Sequence, residues 1–351
     1  MQQSLETISD FLTMSGFQYR IFDMGRKIQR ISNQTFASIE GQQTPYPFPF
    51  QQKAWLAFLL WDESQQHEPV IWFLSFPIDE MGLLKLESRD AFIRDLLENV
   101  GENMQAHLAG GVGQDSLKES PFSFKPREDR LAMFHALATV ALKRPASQHY
   151  QHTRDFLSGK LGFDQWQFLG VQGIADVVSR LQQDNNAECL AKALPHLPDA
   201  PLDAFMQYLE HVTYSGQLSA AVSARLQREM CSESPQAALL ASLIRALSGS
   251  EVSAGRMAVL AEILDSHHAE NVEVLAAISG RCWNDLLDES LMYKFLEAAA
   301  LQEQNVFNTL LVDLLTLPEM RTKVLMGLRR PERSAELSRR IGGFMGGVIG
   351  G

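Results

Sequence analysis

Between residues 234 and 317 one short helical pattern keeps returning, and it constrains the fold more than any other part of the chain. Leu240-Ala241-Ser242-Leu243, Leu260-Ala261-Glu262-Ile263 and Leu275-Ala276-Ala277-Ile278 each sit inside an amphipathic segment, with polar turns between them. Apolar residues at i, i+3 and i+4 form one face of a helix, and short turns between such helices make antiparallel neighbours. Alanine beside the leucine would let adjacent helices approach closely. Two-helix units of roughly 34 to 40 residues have the size of HEAT-like and TPR-like repeats. The echoes are spaced by 20 and then by 15 residues, and the Trp/Gly/Tyr pattern of TPR is absent. The reading is therefore an irregular HEAT-like α-solenoid, with a compact all-helical domain as the alternative.

The same period runs through the whole C-terminal part. From residue 127 onward every element reads as a helix: Leu131, Phe134, Leu137, Ala138 and Ala141 form a stripe that Pro145 stops, and further helices are expected at about 149–161, 165–181, 187–194, 201–212, 218–230, 237–247, 255–266, 270–279, 288–301, 306–315 and 320–330. Phe307, Leu310, Leu311 and Leu314 make the sharpest stripe. Upstream the pattern changes. A short helix over 4–14, capped by Ser4, leads into 17–23, where apolar and polar residues alternate as in a half-buried strand. Residues 28–39 read as a second strand or an irregular excursion. Pro45, Pro47 and Pro49 remove backbone donors from 44–50, so that stretch is a loop. Its aromatics are expected to cover a sheet, in preference to serving as a polyproline ligand.

The apolar runs 55–61 and 70–76 read as the central hairpin of that sheet, buried on both faces. Trp55, Trp61 and Trp72 are expected in packing rather than in a stacking platform. A helix is expected over 81–100, with Phe92, Ile93, Leu96, Leu97 and Val100 on its buried face. The fold class is an α+β N-terminal domain with a small, mainly antiparallel sheet, followed by an all-α helical array. The boundaries are 1–100 for the α+β domain, 101–126 for a Gly/Ser/Pro-rich linker or mobile loop, 127–340 for the helical-repeat-like domain and 341–351 for a Gly-rich apolar tail. Gly110-Gly111-Val112-Gly113 in the linker imitates part of a phosphate turn. No Lys-Ser/Thr follows it, and it comes after a helix instead of a strand.

A formal charge of −11 over 351 residues weighs against nucleic-acid binding by the body of the protein, because phosphate contacts need a basic face. Cys189, Cys231 and Cys282 are too few and too scattered for a disulfide framework or a cysteine zinc site, and they fit a reducing cytoplasm. Residues 1–11 carry acidic side chains and no apolar run, unlike a secretory signal, and no stretch has the roughly 20 apolar residues that cross a bilayer.

Chemistry-bearing motifs are sparse. His149, His152 and Asp155 could share a helix face, but they lack the i, i+4 histidine pair and the glutamate of a zinc protease. A solvated face is the preferred reading for them, as for His267-His268. No catalytic, cofactor-binding or metal-binding residue is assigned, no cofactor is expected, and an enzyme is the less favoured class.

Charge segregates at the C-terminal end. Seven Arg or Lys stand against Glu332 and Glu336 between Arg321 and Arg340, a local charge of +5. Arg329, Arg330, Arg333, Arg339 and Arg340 are the candidate binding residues. The tail behind them has glycines at i, i+4 spacing (Gly342, Gly346, Gly350), which in a membrane helix permits close packing. In water so many glycines disfavour a helix.

Phe17 to Arg26, the aromatic-proline stretch Pro45 to Phe50, Trp55-Leu56-Ala57-Phe58 and Pro69 to Leu74 together resemble a gamma-proteobacterial family of domains of unknown function. The resemblance covers most of the chain. It implies a bacterial cytosolic protein and supplies no activity. The expected function is a non-enzymatic cytoplasmic scaffold or adaptor that binds a protein partner on the helical array. The alternatives are a peripheral membrane or nucleic-acid contact through the basic, Gly-rich C-terminus, and an enzyme with a site between the two domains.

Overall fold

The computed structural model describes residues 6–62, 68–100 and 120–349. The chain divides into two compact units, Met1–Arg130 with Thr316–Pro318, and Leu131–Leu315 with Glu319–Gly351. Most of the expected linker, including the Gly110-Gly111-Val112-Gly113 stretch, lies outside the described residues.

The first unit is built on an antiparallel sheet of order β2-β1-β3-β4. Its strands are β1 Gln18–Asp23, β2 Gln29–Ile31, β3 Lys53–Trp61 and β4 Val70–Pro77. The expected hairpin is present, with Leu60 opposite Val70 and Lys53 opposite Pro77. Helices α1 (Ile8–Met14), α2 (Asn33–Glu40) and α3 (Leu86–Val100) supply the rest of the core. Phe11 meets Trp72, Phe36 meets Phe58 edge-on at 5.4 Å, and Phe92 meets Phe76 at 5.6 Å. Trp72 stands opposite Phe58, so both point to this core face. Trp55 and Trp61 sit at odd offsets from Phe58 on β3 and point to the other face. The three tryptophans therefore form no common platform.

The structure corrects several local expectations. Residues 28–39 hold both a strand and a helix, because Ser32 accepts from Thr35 N and caps α2 while Phe36 and Ile39 are buried. The helix expected from residue 81 begins at Leu86, since Ile78 and Leu84 form a bridge before it. Leu97 faces solvent rather than the core. Residues 122–124, at the end of the expected linker, extend the sheet: Ser75 N donates to Phe122 O at 2.7 Å and Phe124 N to Phe73 O at 3.1 Å.

The aromatic-proline loop is pinned, not presented. Tyr46 is fully buried and donates its hydroxyl to Asp23 Oδ1 at 2.6 Å. Gly25 N donates to the same oxygen at 3.0 Å, and Arg26 Nε donates to Pro49 O at 2.7 Å. Arg130 also reaches the turn, donating to Met24 O and Arg26 O. The Asp23 to Arg26 turn and the loop are thus one buried polar knot, in which both carboxylate oxygens have a donor. Burial raises the Asp23 carboxyl to about 6, against the donors that favour its ionised form.

The second unit is a helical array. Its helices are α4 Glu128–Ala141, α5 Tyr150–Leu157, α6 Val171–Ser179, α7 Asn186–Ala193, α8 Asp199–Leu209, α9 Gly216–Met230, α10 Ala237–Leu247 and α11 Ser253–Leu264. They continue with α12 Val272–Arg281, α13 Glu289–Ala300, α14 Gln304–Thr316, α15 Met320–Leu328 and α16 Ala335–Ile349. Most follow the apolar stripes. The helix expected over 165–181 is instead a 3-10 turn, Phe163–Phe168, followed by α6. Alternate helices stack. One layer runs α6, α8, α10, α12, and the other runs α5, α7, α9, α11, α13, α15.

The Leu-Ala echo does not mark a repeat. Two copies lie in one layer (α10, α12) and one in the other (α11). Ala241 is buried, but Ala276 is exposed and Ala277 takes the buried place. Each layer is instead latched by charge. In the first, Glu210 at the end of α8 receives Arg281 at 3.0 Å and Arg245 at 3.6 Å. In the second, Arg256 of α11 grips Asp285, ahead of α13, through two 2.7 Å bonds. Buried carboxylates held this way keep their desolvation cost offset.

The turn after α10 shows how closely backbones approach within a layer. A Cβ at Gly249 would lie 2.4 Å from Val212 O and 2.8 Å from Leu209 O, both backbone atoms. Tyr214 N donates to Gly249 O at 3.0 Å and Tyr214 Oη to Ala246 O at 2.7 Å, so the turn cannot drift away. Gly249→Ala is expected to destabilise the unit by about 1–3 kcal/mol through overpacking. Urea denaturation of the full chain measures this, and an unchanged midpoint would refute the tight joint.

Candidate binding cleft

The basic end of the chain folds against α13, and the arginines there have distinct roles. Asp288 caps α13, accepting from Ser290 N and Leu291 N at 3.0 Å each. Helix α15 runs beside α13 and buries Met320, Val324 and Leu328. Gly327 permits that approach, since a Cβ there would meet Leu296 Cδ1 at 2.7 Å and Met292 Cγ at 3.3 Å.

The 3-10 turn Asp285–Leu287, α13 and the end of α15 leave a cleft of about 260 Å³ between them. Leu286, Leu287, Met292, Tyr293, Met326 and Gly327 form its apolar part, and Glu289, Lys323, Arg329 and Arg330 its polar part. Leu286 and Met292 are buried at the floor while Met326 is 55 % exposed. Arg330 lies over the Tyr293 ring, its Cζ 4.5 Å from the ring centroid, a cation–π contact. Its Nε is 3.6 Å from Glu332 Oε2. Tyr293 Oη donates to Glu332 O at 2.6 Å, and the Glu297 carboxylate beside it pushes the phenol up. Lys323 and Arg329 have no side-chain partner among the described residues.

Of the five arginines singled out by charge, Arg329 and Arg330 therefore border the cleft, and the other three do not. Arg333 donates to Leu328 O at 2.7 Å and Arg340 to Ala300 O at 3.0 Å. Those carbonyls end α15 and α13, where a helix has unpaired acceptors and a partial negative charge. Arg339 and Arg340 both pair with Glu336 within α16. The glycine-rich tail is helical through Ile349, contrary to its composition. Four glycines at about 1 kcal/mol each disfavour that helix. Burial of Leu337 and Phe344, with the Arg340 and Gln304 hydrogen bonds to backbone, offsets them.

Charge counted Lys323 in the basic span without singling it out, and gave no sign of Met326 or Tyr293. A faint signal existed: Lys323, Met326 and Gly327 stand at i, i+3 and i+4, one face of a helix. Tyr293 carried none, because its meeting with Arg330 depends on how α13 and α15 pair.

The other candidates fare differently. His149 precedes α5 and packs over Gly170, His152 is exposed, and Asp155 accepts from Lys160 at 2.8 Å and Gln151 at 3.0 Å. The three do not converge, and no group of three metal-ligating side chains occurs among the described residues. His267 and His268 form a 3-10 turn, in which His268 is buried with a ring nitrogen 3.1 Å from Met230 O. The cysteines are free thiols, Cys282 buried and Cys231 exposed. Among the described residues no helix is long and apolar enough to cross a membrane.

No curated protein and no solved structure matches the chain. A family model described as a protein of unknown function does, over residues 3–345. That span takes in both the Asp23–Tyr46 knot and the cleft, and the chain belongs to this family, DUF3549.

Proposed function

We propose that the second unit is an irregular HEAT-like α-solenoid acting as a non-enzymatic cytoplasmic scaffold, with a segment of a partner protein seated in the cleft beside α13 and α15. The observation that carries this reading is the cleft itself: an apolar floor, an exposed methionine and two cations with no side-chain partner among the described residues. A monomer has little reason to keep Met326 and Lys323 side by side at an open hollow, whereas a binding site needs an anchor pocket and a polar rim. The stacking of alternate helices in two layers supports the solenoid, because such arrays present extended surfaces. Free thiols fit the reducing cytoplasm.

The basic-tail alternative draws less support. Arg333 and Arg340 cap helices, and Arg339 is paired, so the charge available to a lipid or nucleic-acid surface is smaller than the sequence count.

A photoreactive amino acid placed at Met326 in the full-length protein, expressed in its own cells, tests the reading. One discrete protein adduct is expected, absent when the probe sits at Val312, which is 45 % exposed on α14. No adduct at Met326, or the same adducts from both positions, would overturn the cleft as the binding surface.

A further inference from the structure

We infer that the cleft takes a short acidic segment of a partner protein, with one large apolar side chain set between its carboxylates. The inference rests on the scaffold reading above and specifies the chemistry of the partner.

Size comes first. About 260 Å³ is below the range of pockets that enclose a whole drug-sized molecule, and it suits one anchoring side chain with its backbone outside. Next comes the floor. Leu286 and Met292 are buried, and Met326 closes one side while largely exposed. Methionines adapt to the shape of an incoming apolar group.

Charge decides the rest. The lining holds Lys323, Arg329 and Arg330 against Glu289, a surplus of two positive charges on a chain of net charge −11. Glu332 takes part of Arg330, but it stands 3.6 Å from Nε, leaving the terminal nitrogens of the fork. Tyr293 holds that fork against its ring, and a guanidinium, being planar, can receive a carboxylate through two hydrogen bonds. Along the chain Lys323 stands before Met326, and Arg329 and Arg330 follow it, so an anchor beside Met326 would set one carboxylate toward Lys323 and another toward the two arginines. A basic segment would be repelled. An extended phosphate backbone or a lipid surface needs a broad basic face, and here the neighbouring Arg333, Arg339 and Arg340 are already engaged.

The test is to pan a displayed random dodecapeptide library on the immobilised full-length protein and measure the enriched peptides by fluorescence anisotropy. Enriched sequences are expected to carry acidic residues flanking Leu, Met or an aromatic residue. Their affinity is expected to fall at least about tenfold with the charge-neutral pair K323Q/R329Q, and further with K323E/R329E. It is also expected to weaken at raised salt. Circular dichroism and unchanged melting confirm that the variants fold.

Peptides without acidic residues that lose binding on Met326→Asp would overturn the acidic chemistry and leave the scaffold reading standing. Peptides indifferent to Met326→Asp and to both charge variants, together with no adduct at Met326, would overturn both. A phosphatidylserine vesicle or a single-stranded oligonucleotide that displaces the peptides through Lys323 and Arg329 would overturn the inference in favour of that class.

Discussion

Replacing Asp176 with alanine is expected to cost the helical unit about 3–5 kcal/mol. Asp176 on α6 and Arg180 at its C-terminal cap face each other one turn apart at 3.2 Å, with side chains 2 % and 4 % exposed. The arginine also donates to Thr139 Oγ1 at 2.8 Å, and the second carboxylate oxygen accepts from Ser147 N at 2.9 Å. The pair therefore ties α6 to α4 and to the loop ahead of α5. Truncating the acid leaves a buried guanidinium with neutral partners and without the carboxylate that balances its charge, while the backbone donor of Ser147 loses its acceptor. The pair as a whole contributes far less than that loss suggests, because two charges were taken out of water to form it. The double variant Asp176→Leu with Arg180→Met should consequently recover most of the stability. Urea unfolding of the full chain measures all three proteins. A single variant that loses less than about 1 kcal/mol, or a double variant as unstable as the single, would show that the pair is solvated in the folded protein.

Acidification from pH 7.5 to 4.5 is expected to strengthen the first unit by roughly 2 kcal/mol relative to an Asp23→Asn variant. Asp23 is fully buried, and burial outweighs the help of Tyr46, the Gly25 and Lys27 amides and Arg130, so its carboxyl is raised to about 6. The folded protein thus binds a proton more tightly than the unfolded chain, whose value is near 3.8. Its contribution is fully present below the unfolded value and is lost as pH rises through about 6. The window of change is therefore between those two values, opposite to that of a salt-bridged carboxylate. The amide of the variant resembles the protonated acid, accepts the same Tyr46 bond and does not titrate. Comparing the two proteins cancels carboxylates of the other sense, such as Asp155 beside Lys160, whose pKa is lowered. The readout is the difference in unfolding free energy at the two pH values. A difference that is flat, or that moves the other way, would show that Asp23 ionises in the fold as it does in water.

Much of the architecture was legible because hydrophobic period is local. Alternation around Ile21, the apolar runs of β3 and β4, and stripes such as Phe307, Leu310, Leu311 and Leu314 each place their element within a few residues. The failures have one cause. Residues 28–39 contain a strand and a helix within twelve positions, and the division is made by Ser32 at the cap and by Phe36 meeting Phe58 on a strand 22 residues later. The Leu-Ala echo was a true helix signal and a false repeat signal: which alanine is buried depends on the layer its helix joins. At the cleft, composition led to Arg329 and Arg330 but could not separate them from Arg333 and Arg340, whose partners are carbonyls at the ends of two helices.

Most element types, the antiparallel hairpin and the helical character of the second unit follow from side-chain period and turn residues, which act over a few positions. Only the tertiary structure decided which charges are spent and which remain. The same guanidinium is a helix cap at Arg333, a cation held over the Tyr293 ring at Arg330 and, among the described residues, a cation without a side-chain partner at Arg329. It decided equally that a glycine-rich tail is a helix and that Gly249 must lack a side chain. In each case the deciding atoms belong to residues distant in sequence or to another element, so the relevant distance exists only once the helices have packed.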